Sequence, residues 1–261
     1  MSLLTVVQDV CAVVGVPRPQ SVFANISVNR TMFEMATLAT EMAQRIAYDL
    51  REWTQMKTSQ TFTGDGVRNP TTGVVTGTTA FDLPANYQRM LLTAEVWRST
   101  STQQPMTFIP DYSTWLQRRA ANQTNAWGEW TLLGTQMLIY PILMGPIAAV
   151  PPSQPAVPAE TATFAYLDKN CVVLFAGGLG DRFLNDGDIF RLPERLLKLG
   201  MVWQWKAQKG SPYQEDLGTY GDALTMLMGS NKPAPIIAGR TPISWNARVV
   251  QSWPATWGPQ P

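Results

Sequence analysis

One long apolar stripe constrains this chain more than any other feature. Between Ser27 or Asn29 and about Thr54, the residues Phe33, Ala36, Leu38, Ala39, Met42, Ala43, Ile46, Ala47, Leu50 and Trp53 recur at three- and four-residue steps. Apolar side chains at that period fall along one side of an α-helix. Glu34, Glu41, Gln44, Arg45 and Asp49 are left mostly to the other side. The spacing predicts a helix of about 26 residues, roughly 39 Å long at 1.5 Å per residue. A helix of that length spans a domain, so the other elements are expected to pack along it.

Two further helical regions supply candidates for that packing. Residues 2–14 predict a short helix capped by Ser2, with Leu3, Val6, Val7, Val10, Cys11 and Val14 on one face and Gly15 and Pro17 ending it. Its valines lower helix propensity, so burial has to hold it. Near the other end, Pro193 stands at a first-turn position, and Leu196, Leu199, Gly200, Trp203 and Ala207 form a stripe that stops at Lys209-Gly210. Ser211-Pro212-Tyr213-Gln214 then reads as a capping box, followed by the stripe Leu217, Tyr220, Leu224, Leu227 and Met228. So short a connection predicts an antiparallel helical hairpin.

Between these regions the texture changes. Residues 58–190 are rich in Thr, Val and aromatics and are broken by Gly, Asp and Asn. Strands are predicted near 89–98, 106–109, 127–133, 136–142, 162–167 and 171–175, with Gly64-Asp65-Gly66 as a turn. A short helix is predicted from Asp111, capped by Asp111 or Ser113, and a proline-rich loop over 141–158. The expected fold class is therefore α+β: a helical bundle from 1–57 and 191–229, a β-rich insertion at 58–190, and an extended C-terminal arm at 230–261. That arm holds six prolines and three tryptophans and lacks helical periodicity, yet it is too apolar for a solvated tail. Fully stretched it would span roughly 100 Å, and its Ile236, Ile237, Trp245, Trp253 and Trp257 are the candidate partner-binding residues.

Composition removes several kinds of chemistry. The 261 residues include no histidine, which excludes Ser-His-Asp and Cys-His catalysis and histidine-ligated zinc. The two cysteines, Cys11 and Cys171, lie far apart in sequence and read as buried free thiols. A net charge of +1 gives no global field toward nucleic acid or membrane. No apolar run approaches the length of a membrane span and no signal peptide is visible, so a soluble product is expected.

Each polar constellation has an ordinary alternative. Asp181, Asp186 and Asp188 in GDRFLNDGDIF suggest a cation loop, but the spacing departs from an EF-hand and Asn-Asp-Gly is turn chemistry. The glycines of TGDGVRNPTTGVVTG lack the Gly-Lys-Ser/Thr of a phosphate loop and suit a hairpin tip. Glu194 with Asp216, or Glu129 beside Trp127 and Trp130, would be the glycosidase candidates, yet nothing in the sequence brings two carboxylates together. Arg118-Arg119, Lys206 and Lys209 are basic spots, and Lys near a helix C-terminus is favoured by the helix dipole alone. Neither an enzyme, a cofactor nor a metal is expected.

The order of elements carries a resemblance. A short helix ending in GVPRPQSVFAN leads to a long helix closing on REWTQMKTSQTF, followed by TFTGDGV and TTAFDLPANYQRM. The unit DGDIFRLPERLLKLGMVWQWKAQKGSPYQEDLGTYGDAL ends the folded part. Over most of residues 1–230 this order resembles the head-to-tail adaptor proteins of tailed bacteriophages, including the tail-tubular gatekeepers of short-tailed phages. The resemblance implies a virion protein at the head–tail junction. It forms a ring, commonly dodecameric, below the portal and extends the DNA channel. Its implied partners are copies of itself, the portal protein, and a downstream tail or nozzle protein. Genomic DNA would pass through without sequence-specific binding, and no membrane is involved. In related proteins the C-terminal segment reaches onto the portal, which residues 230–261 would do here. The alternative reading is a tail-associated carbohydrate- or receptor-binding protein that uses exposed tryptophans.

Overall fold

A computed structural model of the chain describes residues 2–27, 29–101, 103–148 and 156–230. In chain order the helices are α1 (Leu3–Val14), α2 (Arg30–Gln44), α3 (Tyr112–Ala120), α4 (Glu194–Gln208) and α5 (Gln214–Ser230). Strands β1 (Lys57–Thr63), β2 (Val67–Arg68), β3 (Val75–Thr76), β4 (Ala80–Asp82), β5 (Tyr87–Met90), β6 (Trp97–Arg98) and β7 (Thr107–Phe108) lie between α2 and α3. Strands β8 (Glu129–Leu133), β9 (Gln136–Tyr140), β10 (Thr161–Asp168), β11 (Val172–Val173), β12 (Leu179–Gly180) and β13 (Ile189–Phe190) follow. The fold is α+β. Among the described residues no helix is long and apolar enough to cross a membrane.

The helices share one core. All four N-terminal N–H groups of α1 find acceptors. Leu3 and Leu4 donate to the Asp188 and Asp186 carbonyls, Thr5 to the Ser2 hydroxyl and Val6 to the Ser2 carbonyl. Gly15 ends α1 in the left-handed conformation at φ 74°. Helix α4 sits between α1, α2 and α5, so apolar residues are buried around most of it: Leu196, Leu197, Met201, Val202 and Trp205. That is a wider buried surface than the single predicted stripe. At Gly200 the Met42 methyl of α2 occupies the space a side chain would need.

Two helix expectations are corrected. The long helix is shorter than its stripe: α2 runs from its Asn29 cap to Gln44 and continues through one wider i→i+5 turn, Arg45–Asp49, for roughly 30 Å in all. The chain then straightens, and Trp53 folds back with its buried indole N–H donating to the Ile46 carbonyl at 2.7 Å. In a continuing α-helix that carbonyl would accept from Leu50. The buried face of α2 is drawn by Met32, Met35, Ala36, Ala39, Met42 and Ala43, while Phe33, one step around the helix from Met32, is exposed. The capping box at Ser211 does not form either. Ser211 N–H donates to the Lys206 carbonyl and Gly210 N–H to Ala207, the paired bonds of a Schellman ending for α4, and α5 begins only at Gln214.

The sheets are mostly antiparallel. Strand β10 pairs with β1 along seven residues on one side and with β5 and β6 on the other. A second sheet runs β4-β9-β8-β7, closed by a parallel pairing that sets Thr107 opposite Glu129. Their apolar faces meet in a second cluster that includes Phe62, Trp130, Met137, Ile139, Phe164 and Tyr166. Alternation along β10 sends Ala162, Phe164 and Tyr166 into this cluster, whereas Leu167 belongs to the helical core. The register shifts between Leu167 and Asp168. Helix α3 is capped by Asp111, as its sequence predicts. The Ser113 and Thr114 hydroxyls and N–H groups donate to its carboxylate and hold it below the ordinary carboxylate range.

The β2–β3 hairpin has its tip at residues 69–74, where the Asn69 side chain accepts from Thr71 and Thr72 N–H. Gly64-Asp65-Gly66 is not that tip. It is a crossing: a β-carbon on Gly64 would lie 2.5 Å, and one on Gly66 2.7 Å, from the Leu143 carbonyl oxygen. Gly66 N–H donates to that same carbonyl at 2.9 Å.

Alanine at Gly64 is therefore expected to destabilise the fold by about 1–3 kcal/mol through backbone displacement. Alanine at Gly218, in α5 with open space around it, should stabilise it by about 0.5–1 kcal/mol. Urea midpoints of the two variants should move in opposite directions from the parent.

Cys11 and Cys171 are free and buried. Burial raises both thiols above their ordinary 9.0, Cys171 to about 11. Burial likewise raises Tyr48 and Tyr220 above 10.0. The folded chain thus keeps protons that the unfolded chain releases first. This contribution is complete below pH 9.0 and is lost as pH rises through the folded values. Urea stability should fall from pH 9 toward pH 11, with both thiols silent to a disulfide reagent until the chain unfolds.

Candidate interaction surface

The feature that stands out begins with two aspartates. In Asn185-Asp186-Gly187-Asp188, the Asn185 side chain accepts from Gly187 N–H at 3.1 Å, and Asp188 N–H donates back to the Asn185 carbonyl at 3.1 Å. This is the turn chemistry that the dipeptides suggest. The turn points its two carboxylates to different parts of the chain. Asp186 accepts from Val22 N–H at 3.0 Å, from Phe23 N–H at 3.1 Å and from the Ser21 hydroxyl. Asp188, fully buried, accepts from Phe175 N–H at 2.8 Å and from Leu184 and Asn185 N–H at 2.6 and 2.8 Å. Both carboxylates are thus consumed by the backbone, and among the described residues no acidic, cysteine or histidine cluster could hold a metal ion.

Asp188 fixes a small sheet in the order β12-β11-β13. Its inner face joins the helical core through Val172 and Phe190, with Cys171 beside them. The outer face is apolar too. Val173 stands opposite both Leu179 and Ile189, so the three form one row across the strands. They are 39%, 46% and 42% exposed. Phe175 extends the row. It is 74% exposed, and its ring lies where a side chain on Gly187 would stand. A sheet with both faces apolar and only one covered among the described residues presents an exposed apolar contact surface.

The other constellations are spent inside the chain. Glu129 is fully buried and held by Arg118 and Arg119. The Arg119 guanidinium also sits 3.8 Å from the Tyr140 ring centre and 4.6 Å from that of Trp115. Neither arginine is a free phosphate contact, and Glu129 is not a solvated acid. Asp216 pairs with Lys206 at 2.6 Å near the end of α4, while Glu194 opens that helix, about 18 Å away along its axis. Lys209 reaches Glu34 at 2.6 Å and lies over Trp205. Trp53, Trp115, Trp130 and Trp205 are buried, so they are core anchors and not sugar platforms. A depression of about 640 Å³ between α1 and α4 is lined by Asp9 and Lys198, which pair at 2.8 Å, and by Glu194 and Arg195.

Ile236, Ile237, Trp245, Trp253 and Trp257 lie outside the described residues. The outer row of Val173, Phe175, Leu179 and Ile189 was missed by sequence reasoning, because CVVLFAGGLG is a continuous apolar run whose period does not tell one face from the other. No family model matches the chain, and no curated protein matches it.

Asparagine at Asp188 would keep the shape but put an NH2 group in place of one acceptor oxygen, leaving one or two of the three backbone N–H groups without an acceptor. A loss of about 2–4 kcal/mol is expected. Amide hydrogen exchange should speed up first at Phe175, Leu184 and Asn185.

Proposed function

We propose that this chain is a structural virion protein, a head-to-tail adaptor that assembles with copies of itself into a ring below the portal. In this reading the helices of 1–57 and 191–229 are the staves of the ring and 58–190 is an inserted β-rich elaboration. DNA passes through the channel without sequence-specific contact. In the assembled particle residues 230–261 reach a neighbouring chain, the portal protein or the next tail component.

The observation that carries the reading is the rigidly mounted apolar row on β12-β11-β13. Its inner side is continuous with the helical core, so the chain holds a contact surface it does not itself cover within the described residues. The half-covered helix α5 adds to this. Tyr220 and Ala223 are buried, while Leu217 and Met226 are exposed and Gly218 and Gly221 face open space. Ring contacts are heterologous, so two unlike surfaces per copy are what such an assembly needs. The sequence order that resembles the adaptors is the second support.

Electron microscopy of the full chain, alone and mixed with a portal protein from the same source, tests the reading. Closed rings around an open channel are expected in at least the mixture. Single copies in both samples would reject it, as would turnover of a substrate by the purified chain.

A further inference from the structure

Strand β10 is flanked unevenly. On one side β1 pairs with it without a break, Ser59 opposite Ala165 and Thr61 opposite Thr163. On the other side Met90 stands opposite Tyr166 and Trp97 opposite Thr163. Residues 91–96 therefore loop out opposite residues 164 and 165, through a turn in which Ala94 N–H donates to the Leu91 carbonyl. Phe164 and Val96 belong to the second cluster, so Thr163, Ala165 and Trp97 lie on the outer face. Ala165 has a shorter side chain than its neighbours there, and beside it the loop leaves a hollow of about 340 Å³. We propose that this hollow binds one uncharged sugar ring. The proposal adds to the adaptor reading and does not rest on it.

The lining holds the parts such a ligand needs. Trp97 is 42% exposed and borders the hollow. The C–H groups on one face of a pyranose are slightly positive and suit the negative face of an indole. Around it stand the Ser59, Thr93 and Thr163 hydroxyls and the Glu95 carboxylate. Thr163 is held by a 2.9 Å hydrogen bond with Thr61. Among the described residues, the Ser59 and Thr93 hydroxyls and the Glu95 carboxylate have no hydrogen-bond or ion-pair partner. Sugar hydroxyls both donate and accept, so they can pair with all three. A bond to the carboxylate is the strongest of these.

The same lining disfavours other ligands. It has one carboxylate and no Lys or Arg, so a phosphate or a carboxylate would meet repulsion with no opposite charge to offset it. The unpaired stretch of β10, residues 164 and 165, is too short to take an added peptide strand. The volume lies at the lower end of the roughly 300–1,000 Å³ of ligand pockets, which suits a single ring.

The test uses the full chain, isotope-labelled at its ten tryptophan indoles. Methyl glycosides of glucose, galactose, mannose and N-acetylglucosamine, with glucuronate as the anionic comparison, are titrated to about 20 mM, beyond the millimolar affinity expected of one ring. At least one neutral sugar should shift the indole N–H signal that Trp97→Ala removes, and glucuronate should not. Glu95→Gln, at an exposed position, and Ala165→Leu, which fills the hollow, should each weaken binding about tenfold or more on the same signal. The other indole signals report whether each variant is folded, and if Ala165→Leu is not, Glu95→Gln decides alone. No shift of that signal with any of the neutral sugars, an equal shift with glucuronate, or unchanged affinity in either folded variant overturns the inference.

Discussion

The fold depends on a four-residue turn. Asn185-Asp186-Gly187-Asp188 holds two stretches of chain that are distant in sequence, the start of α1 and the linker at 21–23, together with the nearby loops at 175 and 184–185. It does so with groups of one kind, carbonyl and carboxylate oxygens aimed at backbone N–H. Each bond to a carboxylate is stronger than a neutral one, and each N–H left behind by a missing partner would be buried and unpaired. A short helix of valines with weak propensity becomes a core element because this turn receives its first two N–H groups. The same turn places a small sheet against that core.

The two hydrophobic clusters are joined in a comparable way. Strand β10 gives alternate residues to one cluster until Leu167, which belongs to the other. Just beyond the shift in register, Arg191 ties Asp168 at 2.9 Å, the Asn170 carbonyl at 2.6 Å and the Gln55 carbonyl at 2.6 Å. One guanidinium thus connects the end of β10, the loop after it and the segment leading into β1. Its fork of donors suits three acceptors in a way a lysine ammonium does not. Glu52, accepting from Arg89 and from Leu92 N–H, adds a second tie on the same border.

What the sequence discloses of this follows the range of the interactions. Ser2, Gly15 and Asp111 act on residues within a few positions of themselves, so their capping roles can be read from the chain. The stripe of α2 is legible as a stripe. Its end is not, since the wider turn at 45–49 and the return of Trp53 to Ile46 depend on burial by distant segments. Gly64 and Gly66 look like a turn because turns are the local use of glycine. Their use here is the approach of the strand at Leu143, nearly eighty positions away in sequence. Asp186 and Asp188 show the same contrast. Their turn is visible from Asn-Asp-Gly, but the hydrogen bonds of Asp186 to Val22 and Phe23 are not. The apolar row was hidden for a related reason: a run such as Val172-Val173-Leu174-Phe175 has no polar partner to mark its outer side.

The distribution of charge supports the proposed contact role. Few of its residues are charged, and many of those are committed inward: Glu129 to two arginines, Asp168 to Arg191, Glu160 to Arg98, Lys206 to Asp216. A catalytic or cation-binding group needs a charge that is held in place but left incompletely matched until its ligand arrives. Here Glu129 and Asp168 are paired by arginines, and Asp188 is capped by three backbone N–H groups. What the described residues leave uncovered is the apolar row on β12-β11-β13, whose other side is core. Apolar area has no chemistry to perform, and its free energy is gained only by being covered. In the proposed reading, copies of the chain and its partners supply that cover.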